Sequence, residues 1–387
     1  MAKPRNGNNN RVPRGYDRED TERRLKWLKE EKGIDFKDPP VNEPEDLKGI
    51  IENHIGFMKL PMAITGPLLV DGQYAQGEFV VPISTLEGTL ALSMSRGMYA
   101  TFASGGIRVR HVKQELSRAP VFFFDNINDS FEFMDWVNKN KDKIIETAET
   151  TTRFGKVLRI DQYPIQNYLV LDFVLDTKNA AGQNMVTLAA KVACDYIKEE
   201  TGYSYMVESN FNSDKKASTR NMILGRGHSV VAETVLTNSI MKRVLGINAD
   251  LVQKLQRPGP TISAMAGTTG THLHISNALT AIYLATGQDT ACVSENSIGH
   301  FQTEPAENNG LACRLTLPSL TVGTVGGGTR LLPQKQNLEM LGCNGGEYSS
   351  RKLAEIIGAS TLALEISLMS AIASDTFTGS HMKYGRE

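Results

Sequence analysis

Apolar and polar positions change their pattern several times along these 387 residues, and the changes divide the chain. Residues 17–32, DREDTERRLKWLKEEK, are charged on most faces, with Leu25 and Leu28 as a narrow apolar stripe. The pattern predicts a docked surface helix, started near Asp17 or Asp20 and stopped by Gly33. DPPVNEPED (38–46) then reads as a linker. From Ile50 come apolar runs broken by Pro and Gly, IGFMKLPMAITGPLLV and GEFVVPIST, which predict short buried strands and turns. Residues 88–103, GTLALSMSRGMYATFA, are small or apolar on nearly every face, the pattern of a helix in the middle of a domain.

Between residues 119 and 207 the pattern alternates. VFFFD, VLRIDQYPIQ and NYLVLDFVLD read as strands, and MDWVNKNKDKIIETAE and VTLAAKVACDYIKEE as helices. This β-α-β-β-α order predicts a small α+β unit of the split-βαβ kind. The rest of the chain reads as helices and glycine-rich loops. Its most apolar stretch, Gly358 to Ser374, is interrupted by Glu365 and rich in Ser, so a buried helix is expected rather than a membrane span. There is no internal repeat.

Composition adds limits. Forty-two basic against 43 acidic residues leave a formal charge of −1, which argues against a nucleic-acid footprint. Cys194, Cys292, Cys313 and Cys343 form no CxxC pair and read as reduced thiols of a cytoplasmic protein. The N-terminus, MAKPRNGNNNRVPRGY, has no apolar stretch of a secretory signal and reads as a mobile tail.

Candidate chemistry centres on glycine-rich turns and a few charged groups. Neither GxGxxG after a strand nor GxxxxGK[ST] occurs, so a dinucleotide would have to be held outside the Rossmann scheme. The run Gly323 to Gly328, with Gly326 and Gly327 at its centre, can offer backbone N–H groups to phosphate, or can be a tight turn between packed elements. Glu87, in TLEG at the mouth of an apolar helix, should feel desolvation and suit a proton donor; it can equally satisfy the helix start. Lys215 in SDKKAS can be part of a solvated turn, Asp289 in ATGQD a helix cap, and His381 a tail histidine. His272 and His274 alternate in THLHIS, but no third ligand is suitably spaced, and no metal site is expected. Asn277, Thr280 and Gln288 read as polar lining of one helix.

In combination, IENHIGFMKLP, TLEGTLALSMSRG, SRAP, TTRF, AAGQNMVT, SDKKAS, GRGHSVVAE, SAMAGT, NALTAIYLATGQD, PSLTVGTVGGGT, LLPQ, LEISLMSAIA and the terminal SHM resemble the 3-hydroxy-3-methylglutaryl-coenzyme A (HMG-CoA) reductase family in its NADP-using class I form. The resemblance runs from about Ile50 to Met382. It implies catalytic roles for four residues: Lys215 stabilising the oxyanion, Glu87 donating a proton, Asp289 sitting between them, and His381 protonating the departing coenzyme A thiolate. It implies cofactor contacts at Thr152, Arg153, Gly182, Gln183, Asn184 and Arg386, the arginines favouring NADPH. Ser93 and Arg96 match coenzyme A contacts, and Arg118, Lys216 and Asn277 match residues that touch the acyl group.

The resemblance also implies a fold and an assembly. The chain should be an α+β protein whose large helix-rich domain (50–118 and 208–387) surrounds a central buried helix. A small ferredoxin-like domain (119–207) is inserted, and 1–49 forms a tail and helical segment. A homodimer with sites at the subunit interface, acting on a small-molecule acyl-CoA away from membrane and nucleic acid, is implied as well.

Several positions depart from the family pattern. The family's Ser-Gly-Asn ahead of the DKK turn is Glu208-Ser209-Asn210, and its substrate lysine before SAMAG falls on Pro258. After GQD, Thr290-Ala291-Cys292-Val293 replaces the family's AQN run, and Ser104 to Arg108 diverge as well. The expected activity is NADPH-dependent two-step reduction of HMG-CoA to mevalonate. The alternative is the same chemistry on another acyl thioester, on coenzyme A or a carrier protein. A non-catalytic acyl-CoA-binding homologue fits poorly with retention of the four catalytic residues.

Overall fold

The computed structural model describes residues 17–32 and 47–374. The tail, Gly33, the 38–46 linker, His381 and Arg386 lie outside the described residues. The charged helix is α1 (Arg18–Lys32), followed by the hairpin β1 (Met62–Asp71) and β2 (Gln76–Ser84), then α2 (Leu90–Ala103) and the long strand β3 (Ile107–Arg118). Next come β4 (Val121–Phe123), α3 (Ile127–Glu149), β5 (Lys156–Ile165), β6 (Tyr168–Asp176), α4 (Gln183–Thr201) and β7 (Tyr205–Met206). The chain continues through α5 (Thr219–Leu224), β8 (Gly227–Leu236), α6 (Asn238–Ile240), α7 (Ala249–Gln256), α8 (Gly259–Ala266), β9 (Gly270–Thr271) and α9 (Ile275–Thr286). It ends in α10 (Val293–Asn296), β10 (Gly299–Ala306), β11 (Gly310–Leu320), α11 (Leu332–Met340) and α12 (Ser349–Ala373).

β3 is the hinge of the mixed α/β architecture. Its first part pairs antiparallel with β8, from Arg108 opposite Glu233 to Glu115 opposite Gly227. Its last three residues pair with Phe173–Leu175 of β6. On one side of this junction lies the order β2-β1-β3-β8-β11-β10-β9. On the other, β7, β4, β6 and β5 pair antiparallel in that order, and α3 and α4 pack on them. Each side has its own apolar core, one centred on α12 and one around Phe122, Phe133 and Phe173. Asn126 starts α3 by accepting from the N–H groups of Asn128 and Asp129 at 2.9 and 3.1 Å.

Two expectations need correction. Beyond residue 207 the chain is not only helices and loops: β8, β10 and β11 are long antiparallel strands. Their pattern, as in the buried–exposed alternation through VAETVL of β8, is a strand signal that helix-favouring neighbours masked. The helix in the middle is α12, almost every residue of which is buried, against α2, α9, β3, β8 and β11. It is long and apolar enough to cross a membrane by composition, yet it is covered by the rest of the chain. α2 instead packs one face on α12 and leaves Leu92 62% and Tyr99 50% exposed. The two helices cross at Gly97, where a Cβ would lie 1.9 Å from the Ala363 carbonyl oxygen. Small residues on α2 therefore serve backbone contact on one face, not burial on all faces.

Candidate active site

Lys215 sits in the turn between β7 and α5, with left-handed backbone at both Ser213 (φ 52) and Lys215 (φ 56). Such backbone is uncommon outside glycine and must be held by its surroundings. The hold comes from beneath. Asp214 places Oδ2 3.1 Å from Arg118 Nη2 and Oδ1 3.2 Å from Arg226 Nη1. Arg226 in turn makes a forked pair with Glu295, at 2.9 and 3.0 Å, and both side chains are wholly buried. Burial raises the Glu295 carboxyl above its ordinary value, against the opposing pull of Arg226. Arg118, the last residue of β3, also pairs with Glu208, and desolvation lowers its pKa. Lys216 reaches back to the Asp214 carbonyl at 3.0 Å and is otherwise exposed.

Opposite this turn, the segment after α9 brings Asp289 into place. Gly287 ends α9 in left-handed backbone, and Asp289 caps the next short turn by accepting from the Ala291 N–H at 3.0 Å. Its other oxygen meets Lys215 Nζ at 2.7 Å. This bond is the main cause of a raised Lys215 pKa, so the ammonium is held charged. The Ser294 hydroxyl adds a 2.6 Å bond to the Lys215 carbonyl. On the first turn of α9, Asn277 Nδ2 donates to Glu87 Oε1 at 3.1 Å.

The expected site residues thus meet as two pairs, Lys215–Asp289 and Glu87–Asn277. Among the described residues no hydrogen bond or ion pair joins Glu87 to Asp289 or Lys215, so Asp289 touches one of its two expected neighbours. Glu87 is exposed in the single chain, without the apolar enclosure expected for it. Ser93 and Arg96 both bond to Ser367 of α12, with Arg96 at 3.0 Å from its hydroxyl and 2.7 Å from its carbonyl.

The cofactor candidates form a second cluster beside the first. Gly182 starts α4 in left-handed backbone (φ 84), and Asn179 to Ala181 run alongside Gly323 to Val325. A Cβ on Gly323 would lie 2.3 Å from the Ala181 nitrogen, so this contact admits glycine alone. Gln288 is buried and accepts from the Gly323 N–H at 2.9 Å. Gly326 and Gly327 have φ of 81° and 54°, with nothing within 4 Å of an added Cβ. Their open backbone beside the start of α4 suits an anionic group. Thr152 closes its own turn by accepting from the Gly155 N–H at 2.9 Å, Gly155 packs on Met185 of α4, and Arg153 is exposed next to it. Gln183 joins the clusters, donating to Asp214 at 3.2 Å and accepting from Arg226 at 2.7 Å, while Asn184 is exposed.

The sequence reading missed Arg226 and Glu295, which lie 69 positions apart and carry no local signal of pairing. It also missed what the THLH segment does. No group of three metal-ligating side chains exists among the described residues. The Leu273 and His274 N–H groups instead donate, both at 2.7 Å, to the buried Glu365 of α12. A cleft of about 410 Å³ between Val235–Asn238 and Ala306–Gly310 contains none of the expected site residues.

The Lys215–Asp289 pair and the open Gly326–Gly327 turn are thus carried on one mixed α/β scaffold. The sequence profile described as hydroxymethylglutaryl-coenzyme A reductase matches residues 20–386. The chain belongs to that family. It is 39% identical over 377 residues to the 3-hydroxy-3-methylglutaryl-coenzyme A reductase of Methanocaldococcus jannaschii, covering 95% of this chain and 93% of the relative. Identity to the enzyme of that name from Pyrococcus horikoshii is 37%, over 89% and 86% of the two chains. In fold it is similar to the class II 3-hydroxy-3-methylglutaryl-CoA reductase of Streptococcus pneumoniae, solved bound to NADPH in open conformations. The TM-score is 0.68 at 20% identity, covering 91% of this chain and 86% of that one.

Proposed function

We propose that the chain reduces HMG-CoA to mevalonate and free coenzyme A, using two equivalents of NADPH. The observation that carries the reading is the 2.7 Å Lys215–Asp289 pair, in a chain of this family. NADPH supplies hydride, first to the thioester carbon and then to the aldehyde carbon. Lys215 faces the oxygen on which negative charge grows, and Asp289 keeps that ammonium charged and aimed. Glu87, oriented by Asn277, gives the proton that completes the alcohol. His381 protonates the departing thiolate. Arg118, Glu208, Lys216 and Asn277 border the acyl group, and Ser93 and Arg96 meet the coenzyme A part.

Thr152, Arg153, the start of α4 and the open Gly326–Gly327 backbone hold the dinucleotide, with Arg386 at its 2′-phosphate. The antiparallel order β7-β4-β6-β5 under two helices supports reading residues 119–207 as an inserted ferredoxin-like domain. Residues 50–118 and 208–387 then form the large domain.

The working unit is a cytoplasmic homodimer. Exposed Met58, Leu86, Leu92 and Met265, and a helix α8 without one buried residue, favour a partner surface, and a partner that reaches Glu87 would supply its missing enclosure. The test is NADPH oxidation with HMG-CoA, with mevalonate identified as product. Consumption of two NADPH per mevalonate, lost in Lys215→Ala, is expected. Mevalonate formed at wild-type rate by Lys215→Ala would refute the assignment.

A further inference from the structure

Arg118 is the cation through which this site would read a charged acyl group, and it is already occupied. Its side chain is 9% exposed and carries a carboxylate on each terminal nitrogen, Asp214 at 3.1 Å on Nη2 and Glu208 on Nη1. The two carboxylates differ in how they are held. Asp214 is shared with Arg226 and lies under the Lys215 turn. Glu208 stands at the open edge, 35% exposed, and its other oxygen accepts the Asn210 N–H at 2.8 Å. Arg118 and Arg226 together face three carboxyl groups, Glu208, Asp214 and Glu295, so neither guanidinium is left without a partner.

We propose that Glu208 is a specificity-determining residue, an internal counter-ion that fills the anion position on Arg118 and disfavours acyl thioesters bearing a distal carboxylate. The proposal rests on the thioester-reductase reading of the site and adds the substrate class to it. A carboxylate-bearing acyl group must displace Glu208 from Arg118 or sit beside it, and like charges so placed oppose binding. An uncharged acyl group leaves the Arg118–Glu208 pair in place. Lys216, exposed and bonded to a backbone carbonyl, is the cation left to meet a carboxylate that does enter. Lys215 and Asp289 make their own pair and do not bond to Glu208.

The experiment compares HMG-CoA with 3-hydroxy-3-methylbutyryl-CoA, which lacks the distal carboxylate. Dissociation constants and the separate kcat and KM of NADPH oxidation are measured for the wild-type chain, Glu208→Ser and Glu208→Gln. Glu208→Ser should lower Kd and KM for HMG-CoA about tenfold or more. For the uncharged thioester it should move both by no more than about twofold, so the effect is read as the change in the ratio of the two thioesters. Glu208→Gln, which keeps the side-chain volume and an acceptor for the Asn210 N–H, should move in the same direction. Unchanged or weaker HMG-CoA binding in folded variants would overturn the proposal. So would a wild-type chain that binds HMG-CoA at least about tenfold tighter than the uncharged thioester, a result that needs no variant. Failure of the wild-type chain to oxidise NADPH with either thioester would instead refute the reductase reading, while the binding comparison would still decide the role of Glu208.

Discussion

Lys215 Nζ lies 2.7 Å from Asp289 Oδ2, and both side chains keep 44% of their surface exposed. At that exposure the pair adds little to stability, so its value is in charge and aim. The Asp289 contact raises the Lys215 pKa above its ordinary 10.5. Protonated lysine is the useful form, so the part of the alkaline limb that Lys215 sets, distinct from the loss of the Glu87 and His381 protons, should lie at high pH. In Asp289→Asn the alkaline limb of the kcat profile should move to lower pH, while melting stays close to wild type. An alkaline limb that does not move would separate Asp289 from the lysine's charge. Lys215→Ala should cost kcat about 10²–10³-fold without loss of fold.

A different penalty awaits the buried arginine. Arg226→Leu leaves Glu295 and Asp214 without their shared partner, and losing one member of a buried pair costs about 3–5 kcal/mol. The cost should depend on pH with a definite sign. Burial already raises the Glu295 pKa, and the Arg226 charge is the main influence lowering it. A carboxyl whose folded pKa lies above its unfolded value loses stability as pH rises between the two. The variant should therefore regain part of its lost stability as pH falls from 7 toward 5. Urea unfolding at both pH values measures it, and a penalty independent of pH would exclude Glu295 as its source.

These two cases also show what was legible in the sequence. Lys215, Asp289 and Glu87 stood out because family motifs carry them, and α12 because its composition marks a buried helix. Arg226 lay in the quoted GRGHSVVAE motif and Glu295 in no quoted motif, and nothing local to either signals a partner 69 positions away. α2 was misplaced for a related reason. Periodicity counts apolar faces but does not say whether a face meets this chain or another surface, and Leu92 and Tyr99 stay at least half exposed here. The acyl end of the site was legible only as departures, Glu208 and Pro258. What Glu208 does became visible once its partner was seen to be Arg118.

The α2–α12 crossing gives a test of packing alone. A methyl at Gly97 would fall 1.9 Å from a backbone carbonyl oxygen, and no rotamer change can relieve such a contact. Gly97→Ala must push the helices apart, at about 1–3 kcal/mol. Because Ser93 and Arg96 bond to Ser367 across the same crossing, affinity for coenzyme A thioesters should fall along with stability. Denaturation and KM for HMG-CoA check both, and a variant of wild-type stability would mean the helices do not meet at this position.

The last expectation concerns Glu365, buried in α12 and bonded to the Leu273 and His274 N–H groups at 2.7 Å each. Burial lifts its pKa to about 7, and the two backbone donors pull the other way without overcoming it. Its folded pKa exceeds the ordinary 4.5, so folding favours the protonated form, and stability declines as pH rises from 4.5 to about 7. The slope can reach about 1.4 kcal/mol per pH unit for one group. His272, whose pKa burial lowers, works in the opposite sense, but it is common to wild type and variant and cancels in their difference. Wild type should therefore lose stability relative to Glu365→Gln across this window. Denaturation curves at four or five pH values measure the difference, and parallel pH dependences would show that Glu365 stays in one protonation state throughout. The same bonds position the segment that leads into α9 and Asn277, so hydrogen exchange at Leu273 and His274 should quicken in Glu365→Gln, where a single amide oxygen replaces two carboxylate acceptors.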